Sequence, residues 1–209
     1  MSKRGAVNSL DPRSALVLDT HALGLQRRPG SMITVSRTAP APGDMGIALA
    51  RVLPDSPIEF ALRLESVMEG VLVSGDAELQ VSAECARCLE PLTWEEAVDI
   101  SELFAYPATD ARGAIVEEPE GDEDPLPTLE GDLINLEPTL RDAVVLALPM
   151  APLCQEDCAG LCSECGVRLD DHPGHEHQIV DPRWAALADL ARPEPGKATA
   201  DALPEPRTS

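Results

Sequence analysis

The chain has 209 residues, 44% of them hydrophobic, and a formal net charge of −21 at pH 7. That length holds one domain of ordinary size with tails, or two small ones. So acidic a chain is repelled by phosphate at long range, which excludes extended nucleic-acid binding outside a locally basic segment and favours a basic protein partner.

The charge is uneven. Residues 1–63 carry eight Lys/Arg against five Asp/Glu, a local +3, so residues 64–209 hold −24. Met1-Ser2-Lys3-Arg4-Gly5 is basic, but no apolar run near it is long enough for a signal peptide. No stretch approaches a membrane span, so a cytoplasmic location is expected. Aromatic residues are few (Phe60, Trp94, Phe104, Tyr106, Trp184), and a core of Leu, Val, Ile and Ala follows.

Residues 1–13 and 192–209 read as disordered tails around one domain over 14–191. Ser14–Thr20 predicts a short strand, and Arg27-Arg28-Pro29-Gly30-Ser31 a basic turn. Arg27, Arg28 and Arg37 are either contacts for RNA phosphate or a solubilising loop beside an acidic body. Met32–Ser36 predicts a second strand, stopped by Pro40, Pro42 and Gly43.

From residue 58 to about 104 the hydrophobic period is two. Ile58, Phe60, Leu62 and Leu64 alternate with Glu59, Ala61, Arg63 and Glu65, and Ala77, Leu79, Val81 and Ala83 with Glu78, Gln80, Ser82 and Glu84. Glu69-Gly70 and Gly75-Asp76 read as turns. Leu92, Trp94, Val98 and Ile100 continue the theme. Such alternation predicts an antiparallel meander with one wet face. Residues 107–132 then mix Glu117, Glu118, Glu120, Asp122, Glu123 and Asp124 with Pro and Gly, which predicts a mobile acidic loop.

Leu136–Leu148 predicts the main helix, with Pro138 in its first turn and Pro149 as its stop. Leu140, Val144, Ala147 and Leu148 share its apolar face, Val145 widens that face, and Arg141 and Asp142 are expected on a solvated one. A second helix is expected from Asp181-Pro182-Arg183-Trp184, turning Trp184, Leu187 and Ala188 inward.

Chemistry concentrates between residues 154 and 177. Cys162-Ser163-Glu164-Cys165-Gly166 is a knuckle: two thiolates reach one ion from a tight turn, and glycine follows where the backbone bends. Zinc suits such donors, in a closed structural site within a metal-binding element over 150–191. One ligand set is Cys154, Cys158, Cys162 and Cys165, preferred because thiolates bind zinc strongly. The alternative closes Cys162 and Cys165 with His175 and His177, while His172 is expected to be solvated. Cys85 and Cys88 form a weaker candidate pair, read first as two small apolar side chains at a sheet turn, with metal and redox roles as alternatives.

Four segments together resemble the YceD family of large ribosomal RNA subunit accumulation proteins. They are Glu84-Cys85-Ala86-Arg87-Cys88-Leu89-Glu90-Pro91-Leu92, Arg141–Pro149, Cys154–Gly166 and Asp181-Pro182-Arg183-Trp184. Arg27–Met32 and Leu64–Gly70 look like its actinobacterial branch. The resemblance implies a cytoplasmic, non-enzymatic factor for accumulation or processing of large-subunit (23S) ribosomal RNA. In some members of that family a Cys-x-Cys stands where this chain has His175-Glu176-His177, which favours both histidines as ligands.

The expected protein is α+β: an antiparallel sheet or open barrel with one packed helix and a C-terminal zinc-knuckle element. Its expected role is ribosome biogenesis through contact with a basic ribosomal protein or large-subunit assembly intermediate, with RNA touched only through the N-terminal basic loop. A zinc-ribbon nucleic-acid-binding regulator is the alternative. No enzyme is expected, because Ser/His/Asp sets, phosphate-cradling glycine loops and a Walker lysine are absent from the sequence, whose only lysines are Lys3 and Lys197. Membrane and small-molecule partners are not expected either.

Overall fold

The computed structural model describes residues 10–108, 126–177 and Arg183. The acidic run Glu117–Asp124 lies outside the described residues, as do the second helix apart from Arg183 and nearly all of both tails. The chain divides into two compact units, Met1–Leu161 and Cys162–Ser209. The first unit is α+β, built on antiparallel pairing.

Its main sheet contains β2 (Met32–Pro40), β3 (Ala50–Val52), β4 (Pro57–Ser66), β5 (Gly70–Glu84) and β6 (Pro91–Ala105); β1 is the short strand Val17–Asp19. β4, β5 and β6 form the expected meander, and β2 pairs with β4 from Met32↔Glu65 to Pro40↔Pro57. β6 lines one edge of β5 from Gly70↔Ala105 to Glu84↔Pro91. The other edge is shared: β4 covers Val71–Glu78, and β3 covers Val81–Ala83. The sheet is open, because β2 and β6 do not pair with each other.

Period two is realised residue by residue. Ile58, Phe60, Leu62 and Leu64 of β4 are buried, and so are Val71, Val73, Ala77, Leu79, Val81 and Ala83 of β5. Their neighbours Glu59, Arg63, Glu78 and Gln80 are exposed, the pattern of a sheet with one wet face. Gly75 lies inside β5 and is no turn: at φ +141° its missing Cβ would fall 2.1 Å from the Ala61 carbonyl oxygen. Glycine lets the two backbones meet there. β2 also runs four residues past the expected Ser36, ending at Pro40, which suits an edge strand.

A second, two-stranded sheet pairs β1 with β7 (Leu133–Asn135). β3 and β7, three residues each, were too short to leave a periodic signal.

The helix α1 spans Glu137–Ala147, with proline in its first turn as expected. Its first N–H, of Glu137, donates to the Asn135 side-chain oxygen at 3.1 Å. Leu140, Val144 and Leu148 are buried, each contributing roughly 1.5–3 kcal/mol. The expected face is too wide: Ala147 is exposed, and Val145 points outward with Leu146. Arg141 is no solvated bystander. Its guanidinium donates to the carbonyls of Gly43 and Asp44 and pairs with Glu137 at 3.0 Å, fastening the helix to the β2–β3 connection.

The basic turn is similarly occupied. Arg27 pairs with Asp132 at 2.7 Å and stacks 5.0 Å from the centre of the Tyr106 ring. Arg37 donates to the Val17 carbonyl at 3.2 Å. Among the described residues no helix is long and apolar enough to cross a membrane.

Candidate metal centres

The turn between β5 and β6 begins at Cys85, where the meander's longest hairpin ends. The Cys85 N–H donates to the Glu90 carbonyl at 2.8 Å, and the Cys85 carbonyl accepts from the Leu89 N–H at 2.9 Å. This tight loop turns both sulfurs inward, and Cys85 and Cys88 are buried.

The segment after α1 returns to the same turn. The Ala86 N–H donates to the Pro152 carbonyl at 2.8 Å, and the Leu161 N–H to the Arg87 carbonyl at 3.1 Å. Arg87 closes the arrangement by donating to the Cys158 carbonyl at 2.9 Å. Gly160, at φ +82°, lets the chain pass Arg87; a Cβ there would lie 3.1 Å from the Arg87 carbonyl oxygen.

These contacts gather Cys85, Cys88, Cys154 and Cys158, whose sulfurs all lie within 4.8 Å of one another. Cys85 and Cys158 are 3.9 Å apart, and Cys88 and Cys154 are 3.6 Å apart. Four thiolates about 2.3 Å from a tetrahedral ion stand about 3.8 Å from each other, so the donor set fits zinc.

The local electrostatics also suit a cation. Burial opposes ionisation of Cys85, but the backbone N–H groups of Cys88, Cys154 and Arg87 bring its thiol down to about 6. Burial and the adjoining Cys154 sulfur push Cys158 up to about 12, and burial raises Cys154 too. One thiolate, Cys85, is favoured by the backbone, and the raised Cys154 and Cys158 thiols need a positive charge to lose their protons.

The second group belongs to the unit Cys162–Ser209 and stands by itself. The Cys162 N–H donates to the Val167 carbonyl and its carbonyl accepts from the Gly166 N–H, both at 2.8 Å. The N–H groups of Glu164 and Cys165 hold the Cys162 thiol below its usual range. His175 and His177 complete the group. The Cys165 sulfur lies 3.3 Å from His175 Nε2 and 3.2 Å from His177 Nε2, and the two nitrogens are 2.8 Å apart. With the Cys162 sulfur, these atoms all lie within 4.8 Å of one another, close enough to share one ion. Two cysteines and two histidines are a common closed zinc set. His172 is exposed and outside the group.

The second group is the alternative expected set, and the first departs from the preferred one. Cys154, Cys158, Cys162 and Cys165 do not gather as one four-thiolate set. Cys154 and Cys158 sit with Cys85 and Cys88, and Cys162 and Cys165 with the two histidines. The first reading of Cys85 and Cys88, two small apolar side chains at a sheet turn, has the location right, and the grouping supports the alternative reading of the pair as metal ligands. Their Cys-x-x-Cys spacing was the available signal, while the partners they take are decided by the fold. None of the six cysteines is in a disulfide.

The profile of the family described as "Large ribosomal RNA subunit accumulation protein YceD" matches residues 73–191, a span reaching from β5 through both cysteine groups. The chain belongs to the YceD family. Among curated proteins, an uncharacterized protein of Mycobacterium tuberculosis is 41% identical over 183 residues, 87% of this chain and 84% of its own length. One from Mycobacterium leprae is 39% identical over 181 residues, covering 87% and 80% of the two chains. These mycobacterial relatives agree with the actinobacterial features of this YceD sequence. No solved structure matches.

Proposed function

We propose that the protein is a non-catalytic, cytoplasmic ribosome-biogenesis factor that promotes accumulation or processing of 23S ribosomal RNA through protein contacts. Membership of the YceD family carries the reading, since that family is named for accumulation of the large ribosomal RNA subunit.

Zinc is the proposed ion at both cysteine groups, because thiolate and imidazole donors suit it. Each group offers four protein ligands, which fills a tetrahedral shell and leaves no open position for a substrate. The metal would therefore fix loops. In the first unit it would tie the β5–β6 turn to the segment following α1.

Protein contact is favoured over RNA contact by charge. Residues 64–209 carry −24, and two of the three arginines considered for phosphate, Arg27 and Arg37, already hold partners within the chain. The proposed partner is a basic ribosomal protein or a large-subunit assembly intermediate.

Deleting the gene should lower the ratio of large to small ribosomal subunits and leave large-subunit precursor RNA. Normal ratios and precursor levels, in fast growth and in the cold, would defeat the reading.

A further inference from the structure

The cysteine cluster of the first unit builds something besides itself. By tying Cys154 to the β5–β6 turn, it sets the segment Pro149–Leu153 beside the start of β6. Leu92, Thr93 and Trp94 form one wall of a groove of about 490 Å³, and Pro149, Ala151, Pro152 and Leu153 form the other. Met150, between two of those wall residues, is 90% exposed, and Leu146 on the last turn of α1 is 86% exposed. Side chains of that kind gain nothing from folding alone. Exposed large apolar groups on the chain that forms a groove wall mark a contact surface.

The two segments that supply the walls carry charge of one sign. From Leu89 to Ala105 the chain holds five carboxylates and no Lys or Arg, and from Asp142 to Leu161 three carboxylates and again no Lys or Arg. Glu96 accepts from Trp94 Nε1 at 2.8 Å, beside the groove, and Asp142 and Glu156 are exposed. The neighbouring cation, Arg87, is already bonded to the Cys158 carbonyl. A second copy of this chain would bring like charges together, and RNA would be repelled.

We propose that this groove, together with the exposed Leu146 and Met150 on the adjoining stretch of chain, docks an amphipathic basic segment of a partner protein. Apolar side chains of the segment enter between Trp94 and Leu153, and its lysines or arginines meet the acidic surround. Burying aromatic and aliphatic anchors would supply most of the affinity, and the charges the rate and the choice of partner. The proposal rests on the reading that the protein acts through a basic protein partner.

The test uses the full metal-loaded chain and three probes: a labelled leucine–lysine amphipathic peptide, a serine–lysine peptide of equal charge, and an RNA hairpin. Fluorescence anisotropy should show the leucine–lysine peptide bound about tenfold or more tightly than the serine–lysine peptide. The double variant Leu146→Ser, Met150→Ser should remove that advantage while metal content and melting temperature stay unchanged. Should the double variant lose its fold, Leu146→Ser alone reads the same quantity. Equal binding of both peptides, undiminished binding by the variant, or displacement of the peptide by the RNA hairpin would overturn the proposal. In a deletion strain, the variant should fail to restore the subunit ratio that the wild-type gene restores. If the variant restores it fully, the groove proposal falls and the ribosomal role stands. If deletion itself changes nothing, the ribosomal role falls, and the peptide measurements still decide the groove.

Discussion

Leu89 stands in the β5–β6 knuckle where Gly166 stands in the second knuckle. Both follow the second cysteine of a Cys-x-x-Cys, both give their N–H to the carbonyl of the first cysteine, and both are left-handed, at φ +61° and +72°. Glycine adopts that conformation freely, whereas a leucine held there costs roughly 1–2 kcal/mol. The first knuckle therefore keeps its shape against a local penalty, met by the burial and bonding of the cysteine cluster.

Exchanging residues at these two places should reveal the asymmetry. Leu89→Gly should be neutral or slightly stabilising, because the relieved strain outweighs or matches the added chain entropy of glycine. Gly166→Val should cost about 1–2 kcal/mol locally and weaken metal retention by the second group. Thermal melts and chelator competition on the two variants check both statements. Equal losses at the two positions would contradict the shared geometry.

Metal content should be about two ions per chain, one per group of four donors. Cys162→Ser should lose one and leave the first unit's melting intact. Cys85→Ser should lose the other and destabilise the junction of β5, β6 and the segment after α1. Elemental analysis of the purified wild type and variants reads this directly, and a single ion lost completely in either variant would refute two sites.

The first group should release its ion on acidification. In the metal-free protein Cys85 is lowered to about 6, so its stabilising contribution is present above its ordinary value of 9.0 and is lost as pH falls through about 6. Cys158 is raised to about 12, so its contribution is present below 9.0 and is lost as pH rises through about 12. Between 6 and 9 a bound cation must expel protons from Cys154 and Cys158, both raised. Apparent affinity should thus climb about 100-fold or more per pH unit in that window. Competition with a chelator of known pH dependence measures the slope, and a flat profile would exclude these ligands.

Arg141→Ala should lower stability by about 1–3 kcal/mol, since it removes charge-assisted bonds to the carbonyls of Gly43 and Asp44. Metal content should not change. Arg141→Lys should recover only part of the loss, because an ammonium does not span the carbonyls and Glu137 as a planar fork does. Denaturant titration of the three proteins gives the ranking.

Strand faces and helix ends were legible in the sequence because they depend on neighbours along the chain. A period of two places Ile58, Phe60, Leu62 and Leu64 on one side of β4 whatever else the protein does, and Pro138 and Pro149 bracket α1 through their missing N–H groups. A Cys-x-x-Cys followed by Gly166 likewise announces a knuckle by itself. The same turn with Leu89 in the glycine's place gives no such signal. Tertiary structure alone decided how the ligands divide. Cys85 meets Cys158 across 73 positions of sequence, and Cys88 meets Cys154 across 66, because the β5–β6 register ends the hairpin where the chain after α1 comes back. Spacing cannot encode such a meeting, since it depends on where the strands stop and not on which residues are adjacent. It also set the outward turn of Val145 and the grip of Arg141, because only the packed sheet determines which side of a helix finds a neighbour.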